Sequence, residues 1–540
     1  MVVRALRRAL LQAILVAAPA QAQTPVPPPR MDRPPAFHRL TGQQVQKIAD
    51  ALPKIINERR KFPGSYPGVF TKGPTRWQVS YYSRDKPPKE IAQVIVDDPT
   101  GAVVEQWTGY KVAWTMARGY AGAFGRKVNS PWVWISLCVL FLAPFARMRR
   151  PLSVRNLDLL VLLGFSASLA YFNDAQIGMS VPLVYPLLLY LLLRMLWTGV
   201  RGGSRSLGLH LNVPAGWLAV GVIFLMGFRI GLNITNSNVI DVGYAGVIGA
   251  DRLVKGDRLY GEFPKDNQHG DTYGPVNYDA YIPFEQALPW HGKWDDLPAA
   301  HGAAILFDLL CCALLFLIGR RVRGPDLGVA LAYAWAAYPF TLFVLDTNSN
   351  DALVPALVLA AVLLASSAPA RGVFAALAGM TKFAPLALAP VLAMHRPRRL
   401  TAFLMAFAAI VLIVCAPLVL NGEDLSTVWD RTIGFQSARG SPFSVWGYPG
   451  GLGASAQHVW QAFAALLAVA LAFVPRRRDV AGLAALCAAI LIALQLGVTH
   501  WFYLYIVWFF PLVMLALLAP APVRSPPPEA APVPQLSLQR

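Results

Sequence analysis

The sequence predicts an α-helical polytopic membrane protein, with about 11–13 membrane segments and a small exported α+β domain at its N-terminus. Three observations carry that expectation: a composition rich in apolar and poor in charged residues, a secretory leader ahead of a polar segment, and a long succession of apolar runs punctuated by arginine clusters. Of the 540 residues, 55% are hydrophobic and only 14% charged. A soluble domain carries about 25% charged residues, so this balance suits lipid as the solvent. The net charge of +19 raises the question of a polyanionic partner. The arginines, however, sit in short clusters between apolar runs, as membrane orientation signals do. With no basic helix or basic stripe interleaved with aromatics, no nucleic-acid partner is expected. The five cysteines (Cys138, Cys311, Cys312, Cys415 and Cys487) fall inside apolar runs and read as small buried hydrophobes. With no C-x-x-C pair and scattered histidines, no histidine- or cysteine-based metal site is expected.

Along the chain, residues 1–22 read as a signal peptide. Arg4, Arg7 and Arg8 precede an apolar stretch from Ala9 to Ala18, followed by Ala20-Gln21-Ala22, which is a charged n-region, a short h-region and an A-x-A cleavage site. An uncleaved anchor would export the next segment just as well. Residues 23–40 form a Pro-rich linker, and 41–126 a small α+β domain. Val45, Ile48, Ala49, Leu52 and Ile56 recur at helical spacing behind a Thr41 N-cap. Trp77 to Tyr82 alternates like a strand, and Gln93-Val94-Ile95-Val96, Asp97-Asp98-Pro99-Thr100-Gly101 and Ala102-Val103-Val104 read as a β-hairpin. A helix followed by strands and a D-D-x-T-G turn resembles the PepSY-type domains of exported proteins, which implies a binding or regulatory role.

Residues 131–519 form the polytopic membrane domain. Spans are expected near 131–146, 157–173, 180–197, 214–231, 302–318, 326–345, 352–367, 400–420, 459–475, 480–497 and 501–519. With the N-terminal domain outside, Arg147, Arg149, Arg150, Arg155, Arg201, Arg205, Arg320, Arg321, Arg323 and Arg371 all fall inside. A single crossing from Arg371 to Met394 would break this pattern, by placing Arg396, Arg398 and Arg399 outside. A broken hairpin over 372–394, with Lys382 near its outer tip, restores it. Gly379, Pro385 and Pro390 tolerate such a break where the backbone lines a protein cavity. The external side then carries the loops 232–300 and 421–458, the turn 346–351 and His500. The tail, 520–540, is cytoplasmic and disordered.

The loop after the fourth span holds the residues best suited to chemistry. Asp241 stands just outside a span, and an aromatic-rich segment follows. A carboxylate there can accept a proton from a sugar hydroxyl while rings stack on sugar faces. Four ordered elements continue from this point. They are Asp241-x-x-Tyr244 followed by Gly256-x-x-x-Tyr260; Tyr273-Gly274-Pro275; Asn348-Ser349-Asn350 opening a span; and Gly379-Met380-Thr381-Lys382-Phe383-Ala384-Pro385. Together they resemble the GT-C superfamily of membrane glycosyltransferases, and most closely glycosyltransferase family 87, whose members include polyprenyl-phosphate-dependent mannosyl- and arabinofuranosyltransferases.

The resemblance implies that Asp241 is the general base that deprotonates an acceptor hydroxyl, with inversion at the anomeric centre. A lipid phosphate leaves as a stabilised anion, so the second carboxyl group of a hydrolytic glycosidase is not needed. Marking the water interface at a span end is the plainer role for Asp241. Positive charge must meet the donor phosphate, and Lys382, His500 and Arg252 are the candidates, with Arg431 and Arg439 on the same side. Lys382 lies in an apolar segment, where an ionisable residue is costly, unless it snorkels to the interface. An interfacial place in an aromatic belt would equally explain His500. Tyr244, Tyr260, Tyr273, Asn348 and Asn350 are the expected substrate-binding residues. Asp346 and Asp351 flank the Asn-rich turn and would shape the site or cap span ends. Asp308, inside an apolar run, has no visible partner. Trp429, Phe435, Trp446 and Tyr448 would bind sugar or lipid, or simply sit at the interface.

No cofactor is assigned, although Asp241 with another carboxylate is compatible with a divalent metal. The D-x-D signature of nucleotide-sugar transferases and the G-x-x-x-x-G-K-[ST], H-E-x-x-H and G-x-S-x-G motifs are absent from the sequence. The expected partners are a polyprenyl-phosphate sugar donor, a glycolipid, glycan or protein acceptor, and membrane lipids. The expected place is the plasma membrane, with a multi-pass domain and a site on the non-cytoplasmic side. A transporter of lipid-linked sugars or small polar solutes is the alternative, but it should show paired repeats. A membrane sensor that reads the N-terminal domain is the other.

Overall fold

The structure, a computed structural model, describes residues 26–519 apart from 85–87, 89, 109–125, 174–176, 202–208, 265–266, 396, 439–440, 442, 448–450 and 475–478. The expected signal peptide and C-terminal tail lie outside the described residues.

The N-terminal domain begins with helices α1 (Gly42–Asp50) and α2 (Pro53–Lys61). Thr41 caps α1 in a reciprocal box with Gln44. Four strands follow, β1 (Tyr66–Thr71), β2 (Arg76–Tyr82), β3 (Glu90–Asp97) and β4 (Val103–Thr108), paired antiparallel in sequence order. The hairpin read from the sequence joins β3 to β4. Gly101 takes a positive φ of 68°, and the Thr100 hydroxyl donates to Asp97 Oδ2 at 2.6 Å. The single helical run read through Ile56 is broken after Asp50, and Pro53 opens a second helix that runs on to Lys61; strand β1 was not anticipated, because Pro67-Gly68 interrupts the strand pattern. Val45, Ala49 and Ile55 from the helices bury against Trp77, Val79, Tyr81, Val94 and Val96 from the sheet.

Asp98 ties the linker to this core. Its carboxylate accepts from the indole of Trp77 at 2.7 Å and from the amides of Arg39 and Leu40 at 2.7 and 3.1 Å. Burial alone would raise its pKa, but these hydrogen bonds and nearby His38 outweigh it, so the group is held below the ordinary carboxylate range. A lowered folded-state pKa contributes stability above the unfolded value, and that stability is lost as pH falls through the folded value. Asp98→Ala strands a fully buried indole N–H and two amides. It is expected to destabilise this domain by about 2–3 kcal/mol and to flatten its acid-denaturation profile, both measurable by circular dichroism on the full chain.

The remainder is a helical bundle. Among the described residues six helices are long and apolar enough to cross a membrane: α4 (Val154–Asn173), α5 (Ile177–Arg201, apolar from Gly178), α6 (Ala215–Asn236), α10 (Pro298–Arg323), α16 (Leu400–Leu420) and α19 (Gly453–Phe473). A bent pair, α11 (Pro325–Ala337) and α12 (Pro339–Asp346), makes a seventh, with a 57° break. Between α6 and α10 lie α7 (Asp241–Lys255), α8 (Pro275–Asp279) and α9 (Ile282–Ala287). The remaining apolar stretches are shorter: α3 (Pro131–Leu142), α13 (Leu353–Leu363) behind a 3₁₀ turn, α14 (Ala368–Thr381), the 384–394 stretch ending in α15 (Ala389–Met394), α20 (Val480–Leu496) and α21 (Ile506–Leu518). These positions agree with the spans read from hydropathy. Several are too short or too buried among neighbours to qualify by length alone.

Pro339 explains the bend. It has no N–H to give and cannot continue the ladder. The Thr341 hydroxyl lies 2.6 Å from the Trp335 carbonyl that Pro339 leaves without its helical donor, with the Tyr338 carbonyl also in reach at 2.7 Å, and the Arg229 guanidinium donates to Ala336 O at 3.2 Å. The 372–394 segment does turn back on itself. Arg371, entering α14, donates from Nε to the carbonyl of Leu392, near the far end of the return limb, at 2.8 Å. Two residues separated by 21 positions can share that bond only if the chain doubles back.

Contacts between loops sort the bundle's two ends. At one end Asn238 N meets Asp346 O, Gly274 N meets Thr381 O, and Trp446 Nε1 meets Leu496 O. At the other, Asn212 holds the Ala143 and Ala146 carbonyls, and Arg321 reaches Leu363 O and Ser366. The polar loops and the arginine-rich turns therefore lie at opposite ends, as the alternation of spans requires.

Candidate active site

The site is built where four separate stretches meet at the polar-loop end. Helix α7 starts at Asp241 and presents Gly243, Gly246 and Gly249 along one face at three-residue spacing. No β-carbon fits at any of them. Gly243 lies on the carbonyl of Asn348, and the other two receive the rings of Tyr281 and Tyr278. Because no side chain intervenes, the Asn-rich turn packs directly on the first turn of α7. Asn348 holds a positive φ of 51°, a conformation asparagine tolerates better than most residues. Its amide donates to Ser237 Oγ at 2.9 Å and Asn238 O at 3.0 Å, and its oxygen accepts from Asn233 at 2.7 Å. A second close approach joins the other two elements. Gly274 lies against the carbonyl of Met380 with no room for a side chain, and its amide donates to Thr381 O at 3.1 Å.

These approaches bring Lys382, Asp351 and Asp241 to one place. Lys382 follows the last turn of α14 and is 8% exposed. Its ammonium lies 2.6 Å from Asp351 Oδ1, which also accepts from Trp508 Nε1 at 3.0 Å. The rings of Tyr273, Trp508 and Tyr505 surround it, with centroids at 5.2, 5.2 and 5.9 Å. Lys382 is therefore caged and ion-paired rather than snorkelled. It also lies within electrostatic reach of Asp241. Asp241 itself is exposed at the first residue of α7, where the helix dipole favours negative charge. Its Oδ1 accepts from Val242 N at 3.0 Å, and Asn267 fixes its backbone by donating to Asp241 O at 2.9 Å.

The other expected site residues are placed differently. Tyr244 is fully buried against Trp294 and Trp290, with centroids at 4.9 and 5.9 Å. Tyr260 is buried as well, and its hydroxyl donates to Tyr273 O at 2.9 Å. Burial holds that phenol well above its ordinary pKa, so it remains a neutral donor. Asn350 is buried and donates to the side chain of Asn277. Arg252 sits three turns along α7 from Asp241, about 16 Å at 1.5 Å per residue. There it is held by Glu262 Oε2 at 2.6 Å and by Arg258 O. His500 contacts Ser441 Oγ at 3.0 Å and packs on Phe443. Arg431 is spent on a bidentate pair with buried Asp271, at 2.7 and 2.6 Å. Arg439 and Tyr448 lie outside the described residues. Among the described residues no group of three acidic, histidine or cysteine side chains is arranged to hold a metal ion.

Two sequence expectations are corrected. Asp308 has a partner: the Arg229 guanidinium reaches both of its oxygens, with Nε at 3.1 Å, and Trp335 Nε1 donates to it at 2.8 Å. Arg229 went unnoticed because a single arginine near the end of an apolar run reads as interfacial. Asp351 does not cap a span; Ser349 caps the 3₁₀ turn, and the carboxylate is committed to Lys382 and Trp508. Tyr505 and Trp508 were missed because they lie inside an unbroken aromatic run with no local signal. Asp279, on α8, is a further partly buried acid, and burial pushes its pKa up to about 6.

Taken together, the architecture and the site define a polytopic membrane protein with a polar, charge-bearing centre at the polar-loop end of its bundle. The sequence model of glycosyltransferase family 87 matches residues 272–499, somewhat less than half of the chain, and that match supports a membrane glycosyltransferase of the GT-C type. The matched segment contains the Tyr273-Gly274-Pro275, Asn348-Ser349-Asn350 and Gly379-to-Pro385 elements, while Asp241 lies upstream of it. It does not reach the N-terminal domain, whose PepSY-type resemblance rests on its own residues. No curated protein and no solved structure matches the chain.

Proposed function

We propose that this glycosyltransferase moves a sugar, mannose by the family resemblance, from a polyprenyl-phosphate donor to an exported acceptor on the non-cytoplasmic face of the plasma membrane. Asp241 takes the proton of the acceptor hydroxyl. The hydroxyl oxygen bonds to the anomeric carbon from the face opposite the phosphate. The carbon–oxygen bond to the phosphate breaks, and its electron pair leaves with polyprenyl phosphate. Direct displacement inverts the anomeric centre. Lys382 supplies positive charge to the phosphate as negative charge builds on it, and Tyr273 forms the wall between that lysine and the loop.

One observation carries this reading: an exposed carboxylate at the start of α7 shares its surroundings with a caged lysine on the hairpin tip. That juxtaposition supplies a base and an anion-stabilising cation without a second carboxyl acid. The arginine-rich turns at the opposite end support placing the site outside. The N-terminal domain keeps a binding or regulatory role beside it.

The test is transfer by the full chain in proteoliposomes, offered radiolabelled polyprenyl-phosphate mannose or GDP-mannose with a lipid extract of the source membrane as acceptor. Label is expected to pass from the lipid donor alone. Transfer from the nucleotide sugar instead would overturn the donor assignment.

A further inference from the structure

The external loop that follows α16 leaves its span in an unusual way. Gly422, at φ 70°, turns the chain, and Asp424 caps a new helical stretch by accepting from Ser426 N and Thr427 N at 3.3 and 3.2 Å. That stretch runs through α17 (Leu425–Trp429), a π-turn (Asp430–Gly434) and α18 (Phe435–Ala438). Its surroundings divide it into three faces. Val428, Thr432 and Phe435 turn toward the protein. Ser426, Asp430 and Ser437 are exposed and polar. Leu425, Trp429 and Ile433, four residues apart, are 76%, 57% and 40% exposed.

Three large apolar side chains in one outward row on a polar loop call for a cover. The row continues the exposed Val419 and Leu420 at the end of α16, a span that turns nearly all of its length outward. The surface beside this row is therefore already the lipid-facing surface of the membrane domain. The protein-facing side is firmly fixed. Arg431 holds buried Asp271 and the carbonyl of Gln268. Glu423 accepts from the amides of Leu259 and Tyr260, and Phe435 stacks on His269 with centroids at 4.8 Å. The row cannot fold inward without breaking these bonds.

We infer that residues 425–433 form an interfacial segment, with Leu425, Trp429 and Ile433 seated in the lipid at the leaflet where α16 ends. Membrane lipid is the partner, because the row is continuous with a lipid-facing span. Of the charged neighbours, Glu423, Asp424 and Asp430 are acidic, Arg431 is committed to Asp271, and Arg258 lies beside Gly422 and Glu423, so seating is assigned to apolar burial rather than to anionic headgroups. Such segments lie about 5–10 Å into the headgroup–acyl boundary. The segment would therefore fix the height of the 257–273 loop, and with it Tyr273, relative to the membrane surface.

The experiment uses the full-length protein in phosphatidylcholine vesicles. Cysteine is introduced in separate variants, Leu425→Cys, Trp429→Cys, Ile433→Cys and Ser437→Cys, and each is labelled with a thiol-reactive fluorophore. The wild-type chain, treated in parallel, supplies the background from its five native cysteines. Labels at 425, 429 and 433 are expected to be quenched by lipids carrying a nitroxide high on the acyl chain, to resist aqueous iodide, and to stay so in high salt. The label at 437 should show the reverse. Iodide quenching of all four would overturn the proposal. So would protection of 425, 429 and 433 from both quenchers, which would mean that protein covers the row. Size-exclusion profiles matching the wild type establish that each variant is folded, and agreement among three positions guards against one perturbed side chain.

Discussion

Asp241→Asn is expected to lower the rate of sugar transfer by about 10²–10⁴-fold, the usual contribution of general-base catalysis. The amide keeps the size of the carboxylate but has no affinity for the acceptor proton. The same substitution should barely affect folding. Asp241 is exposed at the first position of α7, and losing a favourable helix-terminus charge costs about 0.3–1 kcal/mol. Activity and stability should therefore separate cleanly. The measurement is donor turnover beside thermal unfolding in detergent, for wild type and variant. Wild-type turnover in the variant would remove Asp241 from the mechanism and leave it a helix-terminal residue.

Asp308→Ala should have the largest effect on stability, about 3–5 kcal/mol, because removing one member of a buried ion pair leaves the other charged and unpaired. Arg229 is fully buried, and its remaining bonds to Ala336 O and Thr341 Oγ1 are neutral. Those bonds also satisfy the break between α11 and α12, so loosening the guanidinium should loosen the bend. Replacing both partners together, with Arg229→Met and Asp308→Leu, should cost much less, since no charge is then stranded. The midpoint of thermal unfolding for the two single variants and the double variant checks this. Equal losses in all three would mean that shape at the bend matters and the charge pair does not. Because neither residue lies in the proposed site, residual folded protein should retain transfer activity.

Much of the architecture was legible in the sequence. Apolar runs placed the spans because the exchange between lipid and water is governed by composition over about 20 residues, a property local in the chain. The Thr41 cap and the Asp97–Gly101 turn were readable for the same reason: their hydrogen bonds close within a few residues. The hairpin at Lys382 followed from counting arginines against a fixed alternation of sides. The elements at Tyr273, Asn348 and Lys382 carried the resemblance to glycosyltransferase family 87, and the match of that family's sequence model to residues 272–499 covers all three.

The roles of individual residues were less legible. Tyr244 and Tyr260 read as sugar-stacking rings but pack inward, because an aromatic beside a polar loop looks the same in sequence whichever way it turns. Arg252 lies near Asp241 in sequence, yet the rise of α7 carries it away. Asp351 and Trp508 are 157 positions apart, and nothing local announces that one carboxylate oxygen serves both Trp508 and Lys382.

By itself, then, the sequence determined that this chain is a polytopic membrane protein and where its apolar stretches lie, since partitioning and turn formation depend on neighbours along the chain. Only the tertiary structure decided what each charge meets: Lys382 with Asp351 inside three rings, Arg229 with Asp308 beneath a bend, Arg431 with Asp271. A buried charge is held by whatever folding brings within about 3 Å of it, and that distance is set by packing among helices far apart in sequence.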